Sequence, residues 1–150
     1  MMRKFFYCAF LGICLSSIIS CGQAKAPVAA PQQEASLFVS QDELIARLFQ
    51  EGQSNTFVQA QGEVIRLLSD DLEGSRHQRF IIKLKGGQTL LVSHNIDIAP
   101  RLNDLETGDT VRLRGEYLWN DKGGLVHYTH HDPAFRKDGG WIDHKGWRYK

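Results

Sequence analysis

Three of the chain's six histidines fall in LVHYTHHDP, residues 125–133, and a fourth opens HNID at 94–97. Imidazole titrates near neutral pH and is the commonest protein metal ligand. With Asp97 and Asp132 beside them, these stretches hold the side chains needed for acid–base chemistry or for gripping a cation. Three neutral imidazoles, or two with a carboxylate, bind zinc or another divalent ion and leave a position for water. A hydrolase would activate that water, with a His or Asp as base and Arg79 facing an anion such as a phosphodiester. The spacing follows no strong metal signature: HExxH, a cysteine pair and a histidine pair on one helix face are all absent. Nor is there a GxSxG, a phosphate loop or a dinucleotide fingerprint, so no nucleophile or other catalytic residue is identified. Gly123-Gly124 and Gly139-Gly140 read as turns.

Whether these residues meet depends on the elements that carry them. Ser40-Gln41-Asp42-Glu43 has the form of a capping box, with Val39 and Leu44 as its hydrophobic staple. The helix it opens carries Leu44, Ile45, Leu48 and Phe49 on one stripe and stops at Gly52. Strand signals then take over. Val58, Ala60, Gly62 and Val64 alternate with polar residues, and Gly62 permits a bend or bulge. After the polar loop SDDLEGS, the segments HQRFIIKLK and QTLLVSH flank Gly86-Gly87 and read as a hairpin with a two-residue turn. NIDIAPRLNDLETG is a helical or turn-rich connection, in which Pro100 limits where a helix begins. DTVRLRGEYLWN, a turn at NDKGG and LVHYTHHD form a second hairpin. Strand, strand, strand, connection, strand, strand is the order of an OB-fold, a five-stranded Greek-key barrel. The expected class is all-β with minor α: a small OB-fold-like barrel behind an N-terminal helix. Another small antiparallel barrel or sandwich fits the same alternation. After Pro133, GGWIDHKGWRYK turns at Lys145-Gly146 into a short hairpin with Asp143 opposite Arg148 and Ile142 opposite Tyr149.

In such a barrel the third and fifth strands run parallel, which brings His94 and His131 to one rim. A two-residue turn pairs Lys85 with Gln88, hence Ile81 with Val92 and Arg79 with His94. Phe80, Ile82, Leu84 and Leu91 make the richer apolar face, so His77, Arg79 and His94 are expected outside. On the last strand, alternation sends His127, Thr129 and His131 out and Val126, Tyr128 and His130 in. One bulge would reverse part of that assignment. The expected contact surface therefore comprises His77, Arg79, Lys83, His94, Asn95, Asp97, Trp119 and His131. Of these, His94, Asp97 and His131 are the candidate metal ligands, for a divalent ion such as zinc. OB-folds take oligonucleotides or oligosaccharides on their second and third strands and the adjoining loops. Trp119, between the fourth and fifth strands, offers a ring for stacking or a cap for the barrel.

The chain's start addresses it elsewhere. Arg3 and Lys4 precede an apolar run from Phe5 to Ile19 and then Cys21, the plan of a secretory signal too short to span a bilayer comfortably. Ile18-Ile19-Ser20-Cys21 resembles the lipobox of bacterial lipoproteins, which implies cleavage at 1–20 and a lipidated Cys21. By the same resemblance, Gly22 favours the outer membrane of a Gram-negative cell, facing the periplasm. Residues 21–39 read as a flexible tether, 40–133 as the helix and barrel, and 134–150 as an aromatic tail. Cleavage removes Cys8 and Cys14, leaving no thiol for a disulfide or a sulfur-bound metal. Of 18 basic residues two leave with the signal, so 16 face 17 acidic ones, a formal charge of −1. Broad non-specific nucleic-acid binding, which needs clustered positive charge, is disfavoured.

GSRHQRF (74–80), HNID (94–97), GEYLWN (115–120), HYTHHDP (127–133) and GWIDHKGWRY (140–149) together resemble a family of short exported bacterial proteins known only as a domain of unknown function. Members often carry Trp at the position of Tyr128 and Glu at that of Leu118. The resemblance implies that HNID and THHDP belong to one module, and it supplies no activity. The expectation is a lipid-anchored periplasmic binding or accessory domain, monomeric, contacting an anionic or sugar-like ligand or an envelope protein. A metal-dependent hydrolase and a purely structural envelope lipoprotein are the alternatives.

Overall fold

The computed structural model describes residues 31–134 and 139–150. The signal segment, Cys21 and the first part of the tether lie outside the described residues. Helix α1 spans Pro31–Glu51 and so begins nine residues before Ser40. Pro31 suits a first helical turn, where its missing amide costs nothing, and no residue of QQEASLFV breaks a helix. The capping box is therefore interior, and residues 31–39 belong to the helix rather than to a tether. Gly52 does end it: with φ at 66°, its amide and that of Gln53 donate to the Phe49 and Leu48 carbonyls at 3.3 and 2.9 Å. This is a Schellman stop. Among the described residues no helix is long and apolar enough to cross a membrane.

Seven strands follow: β1 (Thr56–Leu67), β2 (His77–Leu84), β3 (Thr89–Asn95), β4 (Thr110–Leu118), β5 (Leu125–His127), β6 (Trp141–His144) and β7 (Trp147–Tyr149). The first five close on themselves in the order β1-β2-β3-β5-β4-β1, with β3 and β5 parallel, an OB-fold-like barrel. One long strand makes the closure possible. β1 pairs with β4 from Thr56 to Glu63 and with β2 from Gly62 to Leu67. At the changeover, a Cβ on Gly62 would lie 2.8 Å from the Lys83 carbonyl oxygen. Only glycine lets the strands approach so closely there. Gln41 of α1 accepts the Gln59 amide at 3.1 Å, on the half of β1 that β2 does not reach.

The β2–β3 turn differs from expectation by one residue. Leu84 pairs with Gln88 across the three-residue loop Lys85-Gly86-Gly87, Gly87 having φ at 90°. A three-residue loop ending in a left-handed glycine fits the twist of a hairpin as well as a two-residue one. It moves the register, so that Phe80 opposes Val92, Gln78 opposes His94 and Arg79 opposes Ser93. Since neighbours alternate faces, one step inverts all of β3. Leu90, Val92 and His94 point into the core and Leu91 points out. Phe80, Ile82 and Leu84 are buried as expected.

The connection from β3 to β4 contains turns and no helix. Its Ala99, Leu102 and Leu105 are buried, the two leucines in the same cluster as Ile45 and Leu48 of α1. The C-terminal hairpin has the expected register, Asp143 with Arg148 and Ile142 with Tyr149. β6 also pairs with Val111–Arg114 of β4, beyond the reach of short β5. The tail thus extends the sheet and adds Ile142 to the core.

Candidate functional site

HNID is a corner of the barrel, buried at His94 and Asn95 and exposed at Asp97. His94 has no exposed surface, and its Nδ1 and Nε2 lie 2.8 Å from Thr129 Oγ1 and 3.1 Å from the Pro100 carbonyl. A carbonyl only accepts, so Nε2 carries the proton and Nδ1 accepts from the Thr129 hydroxyl. Burial holds the imidazole neutral, lowering its pKa to about 4 against partial compensation from the Pro100 bond. Gln78, facing His94 across β2–β3, clasps Leu102 at both backbone groups, each bond 2.9 Å. Asn95 Oδ1 accepts the Asp97 amide at 2.9 Å, and Asp97 in turn takes the Arg76 amide and Nε at 2.7 and 2.6 Å. Those Arg76 contacts, backbone amide first, hold the Asp97 carboxyl below its usual range. His94, Asn95 and Asp97 therefore fasten the loops to the barrel end.

THHDP loses strand alternation at its start. Tyr128 has φ at 55°, uncommon for a bulky side chain. Its half-buried ring packs at 4.6 Å on His130 and edge-on at 5.9 Å to Phe57. The kink turns Thr129 inward, onto His94, where alternation placed it outside. His130 is buried as expected and donates from Nδ1 to the His131 carbonyl at 2.6 Å. Burial lowers its pKa. His131 is half-buried, its ring 6.5 Å from that of His130.

The eight expected contact residues thus divide. His77, Arg79 and Lys83 lie on the outer face of β2; Arg79 Nε donates to the Ser69 carbonyl at 3.1 Å. His94, placed outside by the two-residue turn, is corrected to the core. Asn95 is buried in its turn and Asp97 is held by Arg76. Trp119 is 44% exposed, with its indole NH on the Phe49 carbonyl at 3.0 Å, so it pins α1 while keeping part of its ring in solvent. The metal set of His94, Asp97 and His131 is not assembled: among the described residues no three His, Cys, Asp or Glu side chains stand close enough to share an ion. The reason is geometric, since both His94 nitrogens are spent on protein and Asp97 is spent on Arg76. Thr129, His94 and Pro100 have the hydroxyl–imidazole–carbonyl order of an activated nucleophile. Neither Thr129 nor His94 has exposed surface, so the pair is sealed from any substrate.

What the structure assembles instead is an outer face across four strands. Ile81 opposes Leu91, Leu91 opposes Leu125 and Leu125 opposes Leu118, an aliphatic row of half-buried side chains. With strands ~4.8 Å apart, its outer members are ~14 Å apart. Arg79 with Ser93, and His127 with Glu116 at 3.1 Å, border the row on one side. Lys83 with Thr89 borders it on the other. Such a face offers apolar contact and stacking along its length, with hydrogen-bonding and cationic groups at its margins. Leu91 was missed because the two-residue turn put it inside, whereas Leu125 shares the outward parity of His127. Gln78 was legible, sharing the parity of Phe80, Ile82 and Leu84, whereas nothing in the local residues announces the Tyr128 kink.

Residues 28–150 match the model of the family described as Protein of unknown function (DUF3465), and the chain belongs to that family. No curated protein matches it.

Proposed function

We propose that this DUF3465 protein is a binding module that takes an anionic or sugar-like chain, an oligonucleotide or a glycan, on the outer face of β2, β3 and β5. The observation that carries the reading is the row Ile81–Leu91–Leu125–Leu118, left at the surface of a well-packed barrel with Arg79, Lys83 and His127 along its borders. Partly exposed aliphatics aligned in a continuous row across four strands are the kind of apolar surface that a ligand covers. His77 adds a further polar group beyond Arg79 on the same face of β2. OB-fold barrels commonly use this face for such ligands. The signal-like N-terminus and Cys21 support a lipid-anchored, periplasmic setting, with the barrel held off the outer membrane as a monomer.

Oligothymidylate and oligogalacturonate serve as probes in a titration followed by amide chemical shifts. The expected result is saturable shifts confined to residues 77–83, 89–93, 116–118 and 125–127, with affinity falling about tenfold in Arg79→Ala, the loss of one charge-assisted contact. Silence of this face towards both probes would sink the reading.

A further inference from the structure

Another stretch of the barrel wall holds three cavities that meet end to end. The first, about 440 Å³, opens under the β6–β7 turn between Arg112, Asp143, Lys145 and Arg148. The second, about 420 Å³, lies between Gln61 and Glu63 of β1 and Lys83 of β2. In the third, about 400 Å³, Asp42 and Glu43 of α1 face Lys85 and Gly86. Thr110 borders the first and second, and Lys85 borders the second and third. Each is the size of a small-ligand pocket. Joined, they form a furrow across β6, β4, β1 and β2, consecutive in pairing and so ~14 Å between the outer strands.

The lining is charged and balanced. Five cations, Arg112, Lys145, Arg148, Lys83 and Lys85, share the furrow with Asp143, Glu63, Asp42 and Glu43. Asp143 holds Arg148 through two bonds of 2.7 and 2.8 Å and Arg112 through one of 3.2 Å, fixing the fork at one end. A polyanion gains from a clear excess of positive charge, which this lining lacks. Interleaved donors and acceptors, with the Thr110 hydroxyl and Gln61 amide between them, suit a ligand that both donates and accepts along its length. At the far end, Asp42 Oδ1 is the one buried side-chain oxygen or nitrogen among the described residues with no hydrogen-bond partner. An unmet acceptor beside a cavity is a place for an incoming hydroxyl.

We infer that this furrow binds a linear, uncharged glycan, lying across the strands from the β6–β7 turn to α1, with one hydroxyl reaching Asp42. The site shares only Lys83 with the β2–β3–β5 face and stands or falls without it.

The test uses cellotetraose, maltotetraose and N-acetylated chitotetraose, titrated separately into the tethered domain and followed by amide shifts. At least one is expected to shift Gln61, Lys85, Thr110 and Gly146 saturably, with affinity unchanged between low and high salt. Thr110→Trp, which fills the junction of two cavities from an exposed position, is expected to abolish those shifts without lowering the thermal midpoint. Asp42→Ala should weaken binding about tenfold, and Asp42→Asn, which keeps an oxygen for the Lys85 and Gly86 amides that face the carboxyl, should weaken it less. The inference is overturned if none of the three binds, if the shifts fall on residues 77–82 and 125–127 instead, or if Thr110→Trp binds as tightly as the parent. Salt-sensitive capture of oligothymidylate in the furrow, with no glycan binding, would equally overturn it.

Discussion

His94 shows how one side chain can look like chemistry and serve packing. In the folded protein its imidazole stays neutral down to about pH 4, whereas an unfolded histidine protonates near 6.5. Between those values the unfolded chain binds more protons than the folded one, so stability falls as pH drops from 6.5 to about 4 and is fully present above that window. The contribution is about 3 kcal/mol, and His130, lowered by the same cause, adds to it in the same direction. Urea titrations at pH 7 and pH 4.5 should show the loss. In Thr129→Val, which leaves Nδ1 of His94 without its donor, the pH 7 stability itself should drop by about 1–3 kcal/mol. A pH-independent midpoint would contradict the buried, neutral imidazole. The local string HNID indicated a polar cluster correctly; that its members bond to one another, to neighbouring side chains and to the backbone was not legible, because it depends on partners such as Arg76, Thr129 and Pro100.

Among the elements, the three-residue β2–β3 loop has the largest consequence. It sets which of two aliphatic sets on β3 is buried, and thereby puts His94 in the core and Leu91 on the surface. With Gly86 deleted, a loop that keeps its three residues must take in Gln88 and set Leu84 opposite Thr89 in place of Gln88. That would favour pairing Arg79 with His94, bury Leu91 and Ser93 in place of Leu90, Val92 and His94, and strand Thr129 without its partner. The expected outcome is loss of a single cooperative unfolding transition and of dispersed amide shifts. An unchanged, cooperative variant would show that the barrel, not the loop, dictates register. Parity within β2 was readable because Phe80, Ile82 and Leu84 outweigh Ile81. Parity within β3 was not, since Leu90-Leu91-Val92 is apolar throughout and either face could be the core. The β6–β7 register, by contrast, followed directly from Lys145-Gly146, which take the positive φ values of 47° and 83° that a two-residue turn requires.

For the whole molecule, the expected setting is a barrel held at a membrane by its first retained residue. Cys21→Ser should move the protein from the membrane fraction to the soluble one while leaving the barrel's unfolding midpoint unchanged, since every described element begins at Pro31 or later; unchanged membrane association would refute lipidation. Strand number, strand order, the parallel β3–β5 neighbourhood and the C-terminal hairpin were all present in the linear pattern, because alternation and turn residues are local properties that survive without knowledge of partners. The membership of residues 31–39 in α1 was obscured by a capping box that fits a helix start and a helix interior alike. Which residues share a face was decided only in three dimensions. A one-residue change in a turn, and one left-handed Tyr128, each invert everything downstream on a strand. A strand's period of two makes its pattern easy to recognise and its phase easy to mistake, and only closing the barrel fixed the phase that buried His94 and left Ile81, Leu91, Leu125 and Leu118 in a row outside.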